Sequence, residues 1–213
     1  MSVTGKAALG LAALALAGGA GLAAAPPAGA ATTACGTGCM TLFNQDFGNG
    51  YVAAVAGGIP VTGATVRLSA AAASRAEDFQ LTDKGNTADL AAQGLVSPEV
   101  GTLFGRDEAY EFQFTPKGVA SGLCLGLAAA AHEGGRVTLR PCGVNSRTIW
   151  VGDQADQSGR FEPFVPGSDT ESTSGLVLTG SATGRALTVS QVLVSDGVIA
   201  PDQMWQAIYG PFS

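Results

Sequence analysis

The sequence predicts an all-β domain in which one four-stranded unit is used three times, with an insertion between the first and second units. Three observations lead there. Between residues 121 and 150, apolar residues alternate with polar or small ones in two short runs separated by a Gly-Gly turn, the period of half-buried strands. The same alternation recurs upstream and downstream of that stretch. Each copy closes on a large aromatic side chain: Phe79, Trp150 or Trp205.

The chain begins with a segment of different composition. Residues 1–30 carry one cation, Lys6, then an Ala/Leu/Gly run from 7 to 25, then Pro26-Pro27-Ala28-Gly29-Ala30. That is the pattern of a secretory signal peptide with an Ala-x-Ala cleavage site at 28–30. Residues 31–213 are expected to form a single domain, and a chain of about 180 residues buries about 70% of its unfolded surface without needing disulfides to fold. Export makes disulfides the default state of the four cysteines. Cys35 with Cys39 would close a tight Gly-Thr-Gly loop, and Cys124 with Cys142 a hairpin. A Cys-x3-Cys pair is also a partial metal pattern, but no second pair or His cluster completes it. No metal site and no cofactor is expected.

The first unit spans about 40–81. Met40–Asn44 reads as its first strand, Phe47-Gly-Asn-Gly50 as a turn and Tyr51–Val55 as the second strand. Residues 65–69 follow as the third, with Val66 and Leu68 inward, and 77–81 as the fourth. Residues 82–109 fall outside the pattern. Asn86 is placed to cap a short helix over 87–93 that Gly94 ends. Leu95-Val-Ser-Pro98 then breaks regularity, and Leu103-Phe104-Gly105 is a small apolar patch. Such an insertion is a surface loop, or a carrier of function.

The second unit spans about 110–151. Its first strand lies near 110–115. Leu123, Leu125 and Leu127 then alternate with Cys124 and Gly126, His132-Glu133-Gly134-Gly135 turns the chain, and Val137 and Leu139 alternate with Thr138 and Arg140. In the first unit Val52 stands in the place of Cys124 and Ala71 in that of Cys142. The third unit spans about 160–208, its first strand near 160–165. Ser174-Gly-Leu-Val-Leu-Thr179 falls on Ser121-Gly-Leu-Cys-Leu-Gly126. Counting back from Trp205 places Val192 on Val137 and Val194 on Leu139.

Gln203-Met-Trp205 at the end of the third unit, with Ser-Gly-Leu-Cys-Leu…Cys in the second, resembles the ricin B-type β-trefoil family, whose repeats end in Gln-x-Trp. Thr148-Ile-Trp150 keeps the Trp of that motif, and Glu77-Asp-Phe79 keeps an aromatic. The resemblance covers about residues 40–210 apart from the insertion. It implies a β-trefoil, with Trp150 and Trp205 in a shared core and Gln203 bonded to backbone. It also implies a shallow sugar pocket on each repeat, made of a second-strand Asp, an aromatic platform and a polar residue near the Gln-x-Trp. The Asp place falls on Ala54, Gly126 and Thr179. The aromatic place falls on Ser69, Arg140 and Ser195, and the polar place on Ala76, Arg147 and Asp202. Units one and two are therefore expected to have lost the family's sugar site. Unit three keeps a fragment of it, with Thr179, Ser195, Asp202 and Gln203 as the candidate ligand-binding residues.

Charge narrows the function. Eleven Lys and Arg against seventeen Asp and Glu give a net charge of −6, and loss of Lys6 with the leader makes the chain more acidic still. That excludes a nucleic-acid binder resting on neutralised phosphates. The single histidine, His132, lies in a Gly-rich turn, and no serine has a nucleophile-elbow context. No Gly-x-Gly-x-x-Gly joins a strand to a helix. Glu99, Asp107, Glu108 and Glu111 cluster near the insertion, as a carboxylate pair for glycoside hydrolysis or as an exposed charged face. No catalytic residue is expected. The Ala/Gly-rich composition and the leader point to an exported protein of a high-GC bacterium such as an actinobacterium. The expected function is a secreted, non-enzymatic, lectin-like β-trefoil that binds carbohydrate or a cell-surface glycan, with no membrane association after the leader is removed. One alternative is an interaction scaffold that has dropped sugar binding. Another is a protease inhibitor, for which the Cys35–Cys39 loop is too short to match the known arrangement.

Overall fold

The computed structural model describes residues 39–46, 50–143, 146–153, 160–170 and 175–209. The leader, Cys35, residues 47–49 of the first turn and Ser174 lie outside the described residues. The first unit contributes strands β1 (Met40–Asn44), β2 (Tyr51–Val55), β3 (Val66–Ala70) and β4 (Phe79–Asn86). The second contributes β5 (Glu108–Phe114), β6 (Leu123–Leu127), β7 (Val137–Pro141) and β8 (Trp150–Gly152). The third contributes β9 (Phe164–Pro166), β10 (Leu176–Thr179) and β11 (Thr188–Gln191). A small extra hairpin, β12 (Val194–Ser195) with β13 (Val198–Ile199), precedes its last strand, β14 (Trp205–Tyr209).

The outer strands of the units pair antiparallel in a ring. β1 pairs with β4, β4 with β5, β5 with β8, and β8 with β9. Glu162 and Trp205 exchange two backbone bonds of 2.9 Å, and β14 returns to β1. The result is a closed barrel with no free sheet edge. The inner strands form three hairpins, β2–β3, β6–β7 and β10–β11. They meet through bridges Thr65–Thr138, Arg136–Thr188 and Arg67–Ala186, which cap the barrel.

These bridges fix the repeat register. Val66, Val137 and Leu187 are equivalent, and so are Leu68, Leu139 and Val189; all six are fully buried. The register expected for the third unit is corrected accordingly: Leu187, not Val192, matches Val137, and Val189, not Val194, matches Leu139. The reason is local. The β12–β13 hairpin sits between β11 and Trp205, so a gap-free count back from Trp205 lands inside it. Val194 there is 59% exposed, which no core position tolerates. The matches upstream hold, since Ala54 opposes Arg67, Gly126 opposes Thr138, and Thr179 opposes Thr188.

Phe79, Trp150 and Trp205 share one core with Leu42, Phe112 and Phe164. A buried indole N–H needs an acceptor. Trp150 Nε1 donates to Leu125 O at 3.0 Å and Trp205 Nε1 to Leu178 O at 2.8 Å, equivalent carbonyls in their units. Cys124 and Cys142 form the expected disulfide across β6–β7. The backbone bond beside it, Cys142 N to Gly122 O, recurs as Ala71 N to Gly50 O and Val192 N to Gly175 O.

The insertion folds as two short helices on an extended β4–β5 hairpin. α1 (Thr87–Ala92) is capped by the Asn86 side chain on Ala88 N, as the sequence predicts. α2 (Pro98–Leu103) replaces the irregular stretch expected there. Ser97 caps it and Pro98 opens it, a start signal present in the sequence. The helices touch closely: a Cβ on Gly101 would collide with Ala91 Cβ. Leu90, Val96 and Val100 pack against Ile149, Val151, Val165 and Val177 in a second core, and Ser97 N donates to Gly167 O at 2.7 Å. The insertion is thus a docked layer with its own buried face.

Candidate functional site

The four candidate residues of unit three separate into two groups. Thr179 ends β10 and Gln203 lies in a tight turn (Pro201–Gln203) before β14; both are buried. Gln203 Nε2 donates to Gln191 O at 2.8 Å and to Ser190 Oγ at 3.2 Å, and its Oε1 accepts from Leu193 N at 2.7 Å. Thr179 Oγ1 lies 2.6 Å from Ser190 Oγ. Ser195 is not among them. It is exposed on β12, paired with Val198, and the corrected register gives its expected place to Ser190. Asp202 uses its backbone carbonyl to accept from Asn44 Nδ2 and Gly180 N, both at 2.9 Å. Burial pushes its carboxyl above the ordinary carboxylate range, and the charge of Asp46 adds to that. Side chains of the unit itself fill this place.

Unit two fills the corresponding place differently. A Cβ on Gly126 would lie 2.7 Å from Arg147 O, 2.9 Å from Thr148 Cγ2 and 3.3 Å from Arg140 Cγ. Arg147 Nη1 reaches Ala128 O at 2.8 Å. Thr148 stands where Gln203 stands in unit three, and Glu111 reaches in from β5 to complete it. Its carboxylate accepts from Gly143 N at 2.6 Å and Thr148 Oγ1 at 2.8 Å, and pairs with Lys84 at 3.1 Å. Glu111 is 4% exposed, so it belongs to the wall of the barrel and not to the charged surface expected from the sequence.

In unit one the place stays open. A cleft of about 280 Å³ lies between the end of β2, the outer face of β3 and the loop before β4. Ala54, Ser69 and Ala76 line it, at the three places that the family resemblance matches to sugar-site residues. Their small side chains leave the room that Thr179 and Arg147 occupy elsewhere. Arg67 projects from β3 between the buried Val66 and Leu68, so strand alternation sends it outward. Arg75 comes from the loop and lies across Gly58: a Cβ there would meet Arg75 Cγ and Nε at 3.3 Å. The loop is fixed by Val55 N to Ala76 O at 2.8 Å and by Glu77. The Glu77 carboxylate, 4% exposed, accepts from Ala72 N at 3.2 Å and from Ser74 Oγ at 2.9 Å. It holds Ala73 in the left-handed region at φ 48°, a conformation that costs on the order of 1 kcal/mol and persists only where surroundings enforce it.

No family model matches the sequence, and no curated protein does. Solved structures match by shape. The designed 3-fold symmetric protein ThreeFoil superposes with a TM-score of 0.54 at 17% identity, over 80% of this chain and 98% of that one. The Rhizoctonia solani agglutinin gives 0.53 at 14%, over 81% and 95%. An exo-β-1,3-galactanase from Clostridium thermocellum gives 0.57 at 14%, over 81% of this chain but 30% of that one. Their common shape is the closed barrel under three hairpins seen here. The fold is a β-trefoil.

Elsewhere on the trefoil, His132 is exposed, with Nδ1 3.1 Å from Ala130 O, and its neighbour Glu133 accepts from Gln191 N at 2.7 Å. Among the described residues no group of three His, Cys, Asp or Glu side chains is arranged to hold a metal ion. Cys39 is buried, its Sγ 3.4 Å from Thr115 Oγ1, and no described cysteine is free. Sequence reasoning passed over Arg67 and Arg75. The available signal was the set of small residues at 54, 69 and 76, which marks missing sugar contacts and equally marks empty space.

Proposed function

We propose that this protein is a secreted, non-catalytic carbohydrate-binding β-trefoil that uses the cleft of its first unit. One observation carries the reading. The cleft is bounded by Ala54, Ser69 and Ala76, the positions that the ricin B-type resemblance matches to sugar-contacting residues, and polar groups line it. A concave site with a few convergent polar groups is the usual form of a small-ligand site. Secretion is supported by the leader pattern at 1–30 and by the Cys124–Cys142 disulfide. The scaffold reading is favoured by a specific observation too, the internal bonding of Arg147 in unit two and of Thr179 in unit three at the corresponding places. A glycan array probed with the purified protein separates the two. Binding that Ser69→Trp abolishes supports the cleft, while silence across the array at millimolar ligand leaves the scaffold reading.

A further inference from the structure

We infer that the first-unit cleft selects an acidic saccharide, one bearing a carboxylate or a sulfate ester, and that Arg67 and Arg75 bind the anionic group. This rests on the reading of the cleft as a carbohydrate site. Arg67 and Arg75 both line one small cleft, one from a strand and one from a loop. Neither side chain makes an ion pair or hydrogen bond among the described residues. A structural arginine is ordinarily paired with a carboxylate or carbonyl, as Arg147 is with Ala128 O. These two face a space. Guanidinium matches carboxylate and sulfate oxygens through parallel N–H donors, a geometry that a neutral hydroxyl does not exploit.

The only carboxylate lining the cleft is that of Glu77, and it is turned into the wall. Its oxygens are engaged by Ala72 N and the Ser74 hydroxyl. The lining therefore holds two cations against one buried anion, on a chain whose net charge is −6. The remaining acidic surface is screened beyond about 8 Å at physiological salt, so the local pair decides which ligand binds. The Ser69 hydroxyl has no partner among the described residues and is left for a sugar hydroxyl. The volume, about 280 Å³, lies just below the usual range for small-ligand sites. It suits one or two sugar rings and not a long buried chain.

The test is calorimetric titration of the purified protein with three matched oligosaccharide sets: neutral, uronate-bearing and sulfated. Each is repeated with Arg67→Ala, Arg75→Ala and, as a control on the insertion, Arg106→Ala. The inference expects at least one acidic set to bind about tenfold or more tighter than the neutral set. It expects each cleft substitution to remove about tenfold or more of that affinity, and Arg106→Ala to leave it unchanged. Both arginines are exposed, so both variants should keep the parent melting temperature. Equal binding of neutral and acidic sets, unchanged by either substitution, overturns the inference and leaves the carbohydrate site standing. Inorganic sulfate competing as strongly as a sulfated sugar reduces the site to a bare anion cleft and also overturns it. No binding by any set removes the carbohydrate reading itself, and the inference with it.

Discussion

Glu77, Glu111 and Gln203 do the same work from three different places in the sequence. Each satisfies an equivalent backbone N–H just past the third strand of its unit: Ala72, Gly143 and Leu193. Unit three uses the Gln of the Gln-x-Trp motif. Unit one uses a Glu at the same position, and unit two brings Glu111 across from β5. Gln203→Ala is expected to lower stability by about 1–3 kcal/mol, because the Leu193 N–H and Gln191 carbonyl lose their buried partner; the shift in urea midpoint measures it. Asp202 makes a pH-dependent prediction. Its carboxyl titrates above the ordinary 3.8 in the folded chain because of burial, then because of Asp46. Below 3.8 the group is protonated folded and unfolded, and contributes nothing. As pH rises through the window from 3.8 to the raised value, the folded chain holds the proton that the unfolded chain has released. Stability therefore falls across that window and the penalty persists above it. Asp202→Asn should raise the melting temperature at about pH 7 and leave it unchanged at about pH 3; an equal shift at both would mean that charge is not the cause.

Two elements depart from threefold regularity, and each was hard to read for a definable reason. The β12–β13 hairpin lengthens the path from β11 to Trp205 in unit three. Nothing in a strand-like run of Val and Leu announces that it has left the core, so Val192 and Val194 passed for inward positions. The insertion was readable at its start, where Asn86 caps α1, and at Ser97-Pro98, which opens α2. Its attachment was not readable, since Leu90 and Val100 find Ile149, Val165 and Val177 only across the fold. Leu90→Ala should lower stability by about 2–5 kcal/mol. Because the helices share a core with the barrel strands, unfolding should remain one cooperative transition. A separate early loss of helical circular dichroism would show that the insertion melts alone.

The whole molecule is held by a barrel closed on itself, with Phe79, Trp150 and Trp205 inside one core. The Cys124–Cys142 bond, at a sequence separation of 18, adds about 3 kcal/mol by restricting the unfolded chain. Units one and three carry Val52 with Ala71 and Val177 with Val192 at the same places, so a pair without sulfur is compatible with the fold. Cys124→Val with Cys142→Ala should lower the melting temperature yet keep the near-ultraviolet tryptophan signal; loss of that signal would make the disulfide a requirement for folding. By itself the sequence determined the strand periodicity, the three closing aromatics, the Cys124–Cys142 pair and the threefold plan, because these are encoded in short-range spacing and in side chains that water excludes. The tertiary structure alone decided that the place in unit one is open. The difference lies in contacts made across each unit: Arg147 folds back onto Ala128 O in unit two, and Thr179 bonds Ser190 in unit three, where unit one has only alanines at 54 and 76. In unit one, among the described residues, the small side chains of Ala54, Ser69 and Ala76 leave a cleft that Arg67 and Arg75 border.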